Sequence, residues 1–157
     1  MSAELNPLLK TSARYEHSKV LRVLAIDRFL LDNNERITLI GVQGPKPPGL
    51  QDVKRDKNGF IIQDTDPTTP FNLEAFRFVK SLAEGKSIRI ELDTQRRDNN
   101  GDTLAYVFLP DGSLLNAEVI RWGYADLKLI PPNMKYAGKL RLAYQEARRE
   151  MRGLQGQ

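Results

Sequence analysis

Three short clusters hold the residue types that could do chemistry. Asp27-Arg28 lies inside a long aliphatic run, Gln43-Gly44-Pro45-Lys46 closes the next one, and Arg96-Arg97-Asp98 lies in a polar stretch. A carboxylate can hold a cation and a guanidinium can hold an anion. Each cluster also has a plainer reading. Asp27 can pair with Arg28 or Arg36 at a strand end, and Arg96-Arg97-Asp98 can be a solvated, ion-paired turn. Asp52, Asp56, Asp64 and Asp66 could offer substitute carboxylates, but their spacing demands no site and solvated loop acids are the simpler expectation. Lys135, Lys139, Arg141, Arg148, Arg149 and Arg152 read as the wet face of an amphipathic helix, or else as an electrostatic footprint. His17 is the only histidine and has no partner pattern. Cysteine is absent, which excludes a disulfide framework, a thiolate zinc site and a Cys nucleophile.

Several elements must position these residues. Val20–Leu31 and Ile37–Val42 are rich in aliphatic and β-branched residues and flank Asp32-Asn33-Asn34-Glu35, which predicts a hairpin because Asn tolerates positive φ. The Pro/Gly-rich stretch 44–66 reads as loop, with a small extra hairpin around Asn58-Gly59. A helix is expected over Leu73–Glu84, capped by Asn72 and stopped at Gly85. Ser87–Asp93 alternates as a half-buried strand, Asn99-Asn100-Gly101-Asp102 turns, and Thr103–Leu109 returns. A short helix over Leu114–Trp122 follows, with Trp122 and Tyr124 expected in the core. Asn133 is expected to cap a last helix over Met134–Met151. Strands, a helix, two strands and two helices predict an α+β domain with a small antiparallel barrel, for which an OB-fold is a natural candidate. The expected organisation is an N-terminal arm (1–17), one domain (18–152) and a short tail (153–157). A chain of 157 residues can bury such a core without staples.

Net charge is +4, a mild bias toward a polyanionic partner. No apolar run approaches the roughly 18 residues of a membrane span, and the first residues lack the apolar core of a signal peptide. The compartment is undetermined, and a monomer is expected.

The segment Val23–Lys46, VLAIDRFLLDNNERITLIGVQGPK, resembles the metal-binding strand pair of the staphylococcal nuclease (thermonuclease) family, whose consensus runs V-V-D-G-D-T-I-V-L-E-N-G-E-R-V-R-L-I-G-I-D-T-P-E. The segment SLAEGKSIRIELDTQRRDNNGDTLAYVFLPDGSLLNAEVIRWGYADL resembles the family's second signature. The resemblance covers roughly residues 20 to 150. It implies a five-stranded antiparallel OB-fold barrel with three helices.

In active members the resemblance implies one calcium ion held by two aspartates, a Glu that activates water, and two arginines that clamp the phosphate. Carried onto this chain, Asp27 falls on one metal aspartate and Arg96 on the second-signature arginine. Gln43, Lys46 and Thr38 replace the second aspartate, the Glu and the first arginine. A neutral amide is a weak calcium ligand, and Lys46 puts a cation where a base belongs. Loss of a general base alone is worth about 10²–10⁴-fold.

The leading expectation is therefore a nuclease-like domain without calcium-dependent activity, retained to bind single-stranded nucleic acid. Arg28, Lys46, Arg96 and Arg97 would contact phosphate, Asp27 would be at most a weak relict metal ligand, and calcium would matter only with residual activity. A metal-dependent phosphodiesterase with a rearranged site is the first alternative, and a protein-interaction scaffold is the second. Leu129-Ile130-Pro131-Pro132 occupies the place of the family's base-stacking aromatics, so no stacking platform is expected.

Overall fold

The computed structural model describes residues 18–44, 54–55, 57–58, 61–62 and 70–156. The N-terminal arm, His17, Lys46 and the loop acids Asp52, Asp56, Asp64 and Asp66 lie outside the described residues.

Strands β1 (Ser18–Ala25), β2 (Arg28–Leu31) and β3 (Arg36–Leu39) form an antiparallel meander. The aliphatic run expected as one strand thus folds back on itself. Ala25 pairs with Arg28, and Ile26-Asp27 forms the turn between them. This is a correction with a simple cause, because Ala25 and Ile26 carry the buried apolar run into the bend and leave no polar break before Asp27. The next turn follows the expectation, with Asn34 at φ 70°.

Short β4 (Val42–Gln43) leads out of the barrel, and β5 (Lys54–Arg55) pairs with β6 (Ile61–Ile62) as the expected extra hairpin. Helix α1 (Pro70–Ala83) starts on proline, whose missing N–H is tolerated there, and ends at Gly85 with φ 78°. Strands β7 (Ser87–Glu91) and β8 (Thr103–Phe108) complete a closed barrel in the order β1-β2-β3-β8-β7. Its pairs are antiparallel except β3 with β8, which is parallel.

Helix α2 (Leu115–Arg121), strand β9 (Asp126–Leu127) and helix α3 (Ala137–Arg149) follow, then a 3-10 turn at Gly153–Gly156. β9 pairs with β4 and so ties the C-terminal half to the mouth of the barrel.

The core is one cluster. Phe29, Leu31, Ile37, Tyr106 and Leu115 are fully buried, and each large apolar side chain contributes roughly 1.5–3 kcal/mol. Asn116 is a polar member of this interior. It accepts from the Val107 N–H at 2.9 Å and donates to the carbonyls of Ile40 at 2.8 Å and Ala105 at 3.2 Å, which pins α2 to the barrel.

Three expectations fail. Asn72 does not cap α1, which already begins at Pro70. Trp122 is 45% exposed rather than core, because it sits at the end of α2 with the Arg152 guanidinium 4.3 Å from its ring centroid. Asn133 caps no helix, since α3 begins at Ala137 and the Asn133 amide is engaged by Gln95 instead.

Most of the expected basic face of α3 is occupied. Lys135 pairs with Glu91 at 2.8 Å, Arg152 approaches Glu146 at 3.4 Å, and Arg148 lies over the Tyr144 ring. No helix among the described residues is long and apolar enough to cross a membrane.

Candidate functional site

The β1–β2 turn, the β3–β4 connection, the polar turn after β7 and the segment after β9 meet around an open cleft of about 600 Å³. One side carries Asp27, Arg28, Thr38 and Gln43. Asn99, Asn100 and Lys128 line it as well. Strand pairing explains the first group, because Arg28 and Thr38 are register partners on β2 and β3.

The rim is fixed by hydrogen bonds. Asn133 accepts from the Gln95 N–H at 2.7 Å and donates back to the Gln95 carbonyl at 2.8 Å. Asp93 accepts from the Tyr106 hydroxyl at 2.7 Å and the Lys135 N–H at 3.0 Å through one oxygen. The Lys128 N–H donates to the Gly41 carbonyl at 2.8 Å, which brings a lysine to the cleft. Gly41 has φ 80° and its Cα faces the Leu140 side chain, so a Cβ there would be strained and crowded.

Burial pushes the Asp27 carboxyl above its ordinary range. Its own N–H, the Arg28 charge, the Gly44 N–H and the Lys128 charge act the other way without winning. Asp98 is tied to its turn, where one carboxylate oxygen accepts the N–H groups of Asn100 and Asp102 at 2.9 Å each.

A further carboxylate, Asp102, is buried behind the cleft wall with 7% of its side chain exposed. One oxygen lies 3.4 Å from Arg28 Nε and 3.5 Å from Thr38 Oγ1, and the other lies 3.7 Å from Arg36 Nε. The Arg28 contact is an ion pair by distance but not a hydrogen bond, because Arg28 Nε has no hydrogen-bond partner.

The structure therefore brings together Asp27, Arg28, Thr38 and Gln43. Arg96 is exposed and does not line the cleft, and Arg97 donates to the Gly101 carbonyl at 3.0 Å beside an adjoining polar depression shared with Arg36 and Asp102. Sequence reasoning missed Lys128 and Asp102. In the sequence Asp102 reads only as part of a turn, and the parallel pairing of β3 with β8 that carries it toward Thr38 has no local signature.

These residues do not fit calcium. Asp27 is a single carboxylate already biased toward its neutral form, two cations lie close to it, and Gln43 offers a neutral amide. Among the described residues no group of three or more His, Asp or Glu side chains is arranged to hold a metal ion.

Residues 36–155 match the family described as staphylococcal nuclease homologue. The chain belongs to that family. Among its relatives, a thermonuclease of Staphylococcus intermedius is 31% identical over 143 residues, covering 89% of this chain and 76% of the relative. A thermonuclease of Staphylococcus hyicus is 28% identical over 142 residues, covering 88% of this chain and 75% of the relative. Endonuclease YncB of Bacillus subtilis is 31% identical over 104 residues, or 60% of this chain and 49% of the relative.

Proposed function

We propose that this protein binds single-stranded nucleic acid through its phosphate backbone and lacks calcium-dependent nuclease activity. The observation that carries the reading is the company of Asp27. Arg28 and Lys128 act on it as cations, while Gln43 and Thr38 supply neutral groups across the same cleft. A cleft of that kind repels a divalent cation and offers two donors to a phosphate oxygen. Arg28 and Lys128 are the leading phosphate contacts and Arg96 and Arg97 the outlying ones, while Lys46 remains a candidate outside the described residues.

The test measures a labelled single-stranded oligonucleotide binding across a salt series, alongside cleavage with added calcium. Affinity should fall linearly with log salt while the oligonucleotide stays intact. A flat salt response removes the electrostatic case and leaves the protein-scaffold reading.

The second reading is a metal-dependent phosphodiesterase with a rearranged site, and the names of the relatives favour it. Cleavage that calcium supports and Asp27→Ala abolishes would establish it over the first.

A further inference from the structure

Asp102 is the one charged side chain in the buried set among the described residues. Burying a carboxylate is costly unless cations and donors surround it, and removing its partners leaves an uncompensated charge. Its surroundings are Arg28 on one oxygen, Arg36 on the other, and the Thr38 hydroxyl at the limit of hydrogen bonding. It immediately precedes β8, and with 7% of its side chain exposed it offers little surface to a ligand itself.

We propose that Asp102 is a positioning residue for anion binding in the cleft, holding Arg28 by its Nε side so that the Nη edge is kept for a phosphate oxyanion. This inference rests on the nucleic-acid reading and names the device behind it.

Three observations converge. Arg28 Nε is shut off from solvent, yet the side chain is 35% exposed and lines the cleft. Among the described residues no hydrogen bond engages Nη1 or Nη2 of Arg28. A guanidinium held along its Nε edge retains two parallel N–H donors, the geometry for bidentate phosphate binding. An arginine so held loses less rotamer freedom when the ligand arrives, which improves affinity by preorganisation.

Charge alone predicts the reverse effect. Neutralising Asp102 makes the region more positive and should tighten polyanion binding, whereas loss of positioning should weaken it. The experiment compares wild type, Asp102→Asn, Arg28→Ala and the double variant, each checked for folding by thermal melting. Affinity for a fluorescein-labelled single-stranded oligothymidylate is measured at low salt.

Asp102→Asn should weaken binding by about tenfold, the equivalent of one charge-assisted hydrogen bond. It should add nothing in the Arg28→Ala background. Unchanged or tighter binding, or an equal loss without Arg28, overturns the proposal.

A second readout separates this outcome from failure of the nucleic-acid reading. Inorganic phosphate is titrated while the Arg28 Nε–Hε resonance is followed by NMR. If wild type ignores oligonucleotide but phosphate shifts that resonance, and Asp102→Asn blunts the shift, the anion site stands and only the nucleic-acid reading falls. No shift with phosphate and no oligonucleotide binding refutes the positioning role as well.

Discussion

Asn116 and Asp102 are both buried polar residues against the same strand, β8, and they are treated in opposite ways. Asn116, fully buried, makes hydrogen bonds of 2.9, 2.8 and 3.2 Å to three backbone groups. The contacts of Asp102 span 3.4–3.7 Å, and a guanidinium it touches lines the cleft. In the barrel interior polar capacity is consumed by the chain itself. In the cleft wall some is left for another molecule, which is where binding should be sought.

The largest effect expected from this contrast is on stability. Asn116→Ala should leave the Val107 N–H and the Ile40 carbonyl without this partner, at a cost of about 3 kcal/mol in urea unfolding. Oligonucleotide affinity of the folded protein should hardly change. A loss under 1 kcal/mol would mean that the two regions are not as different as their hydrogen bonds suggest.

Arg28→Ala reverses the pattern. Binding should weaken about tenfold, or ~1.4 kcal/mol. The melting temperature should fall by less than for Asn116→Ala, because Asp102 retains Arg36. Equal effects of Arg28→Ala on affinity and of Asn116→Ala on affinity would erase the distinction between wall and interior.

The same contrast divides what could be read from the sequence. Alternating Ile88 and Ile90, the Asn34 turn and the Gly85 stop are local signals, and each appears in the structure where the pattern places it. The break at Ile26-Asp27 was hidden because the buried apolar residues Ala25 and Ile26 run into the turn and look like strand. The cleft was legible only in part. Asp27, Thr38 and Gln43 came from one continuous segment, so their grouping followed from a hairpin. Lys128 reaches them through β4–β9 pairing and Asp102 through the parallel β3–β8 register, and both are long-range contacts without a sequence signature. Trp122 failed for the related reason that a large aromatic at a helix end can be covered by a guanidinium instead of the core.

Asp27 gives a smaller effect whose size depends on pH. Burial raises its carboxyl above the ordinary value of 3.8, so the folded state disfavours the ionised form. Well below 3.8 both folded and unfolded chains are protonated there, and the group costs nothing. As pH rises the unfolded chain ionises first, and above the folded value the whole penalty applies. Asp27→Asn should therefore raise the melting temperature at pH 7 and leave it unchanged near pH 3. A variant less stable than wild type at pH 7 would show that Arg28, Lys128 and the Gly44 N–H outweigh burial.

The finest discrimination lies within the cations themselves. Each phosphate contact on a single strand contributes about 0.7 to the slope of log affinity against log salt. Lys128 is on the cleft and has no ion-pair partner among the described residues, so Lys128→Ala should reduce the slope by about that amount. Arg96 is exposed on a turn outside the cleft lining, and Arg96→Ala should reduce it by less. The two slopes decide between two routes for the strand. If Arg96→Ala has the larger effect, the backbone passes over the turn rather than through the cleft. Arg96, placed by resemblance, would then outrank the pair placed by geometry.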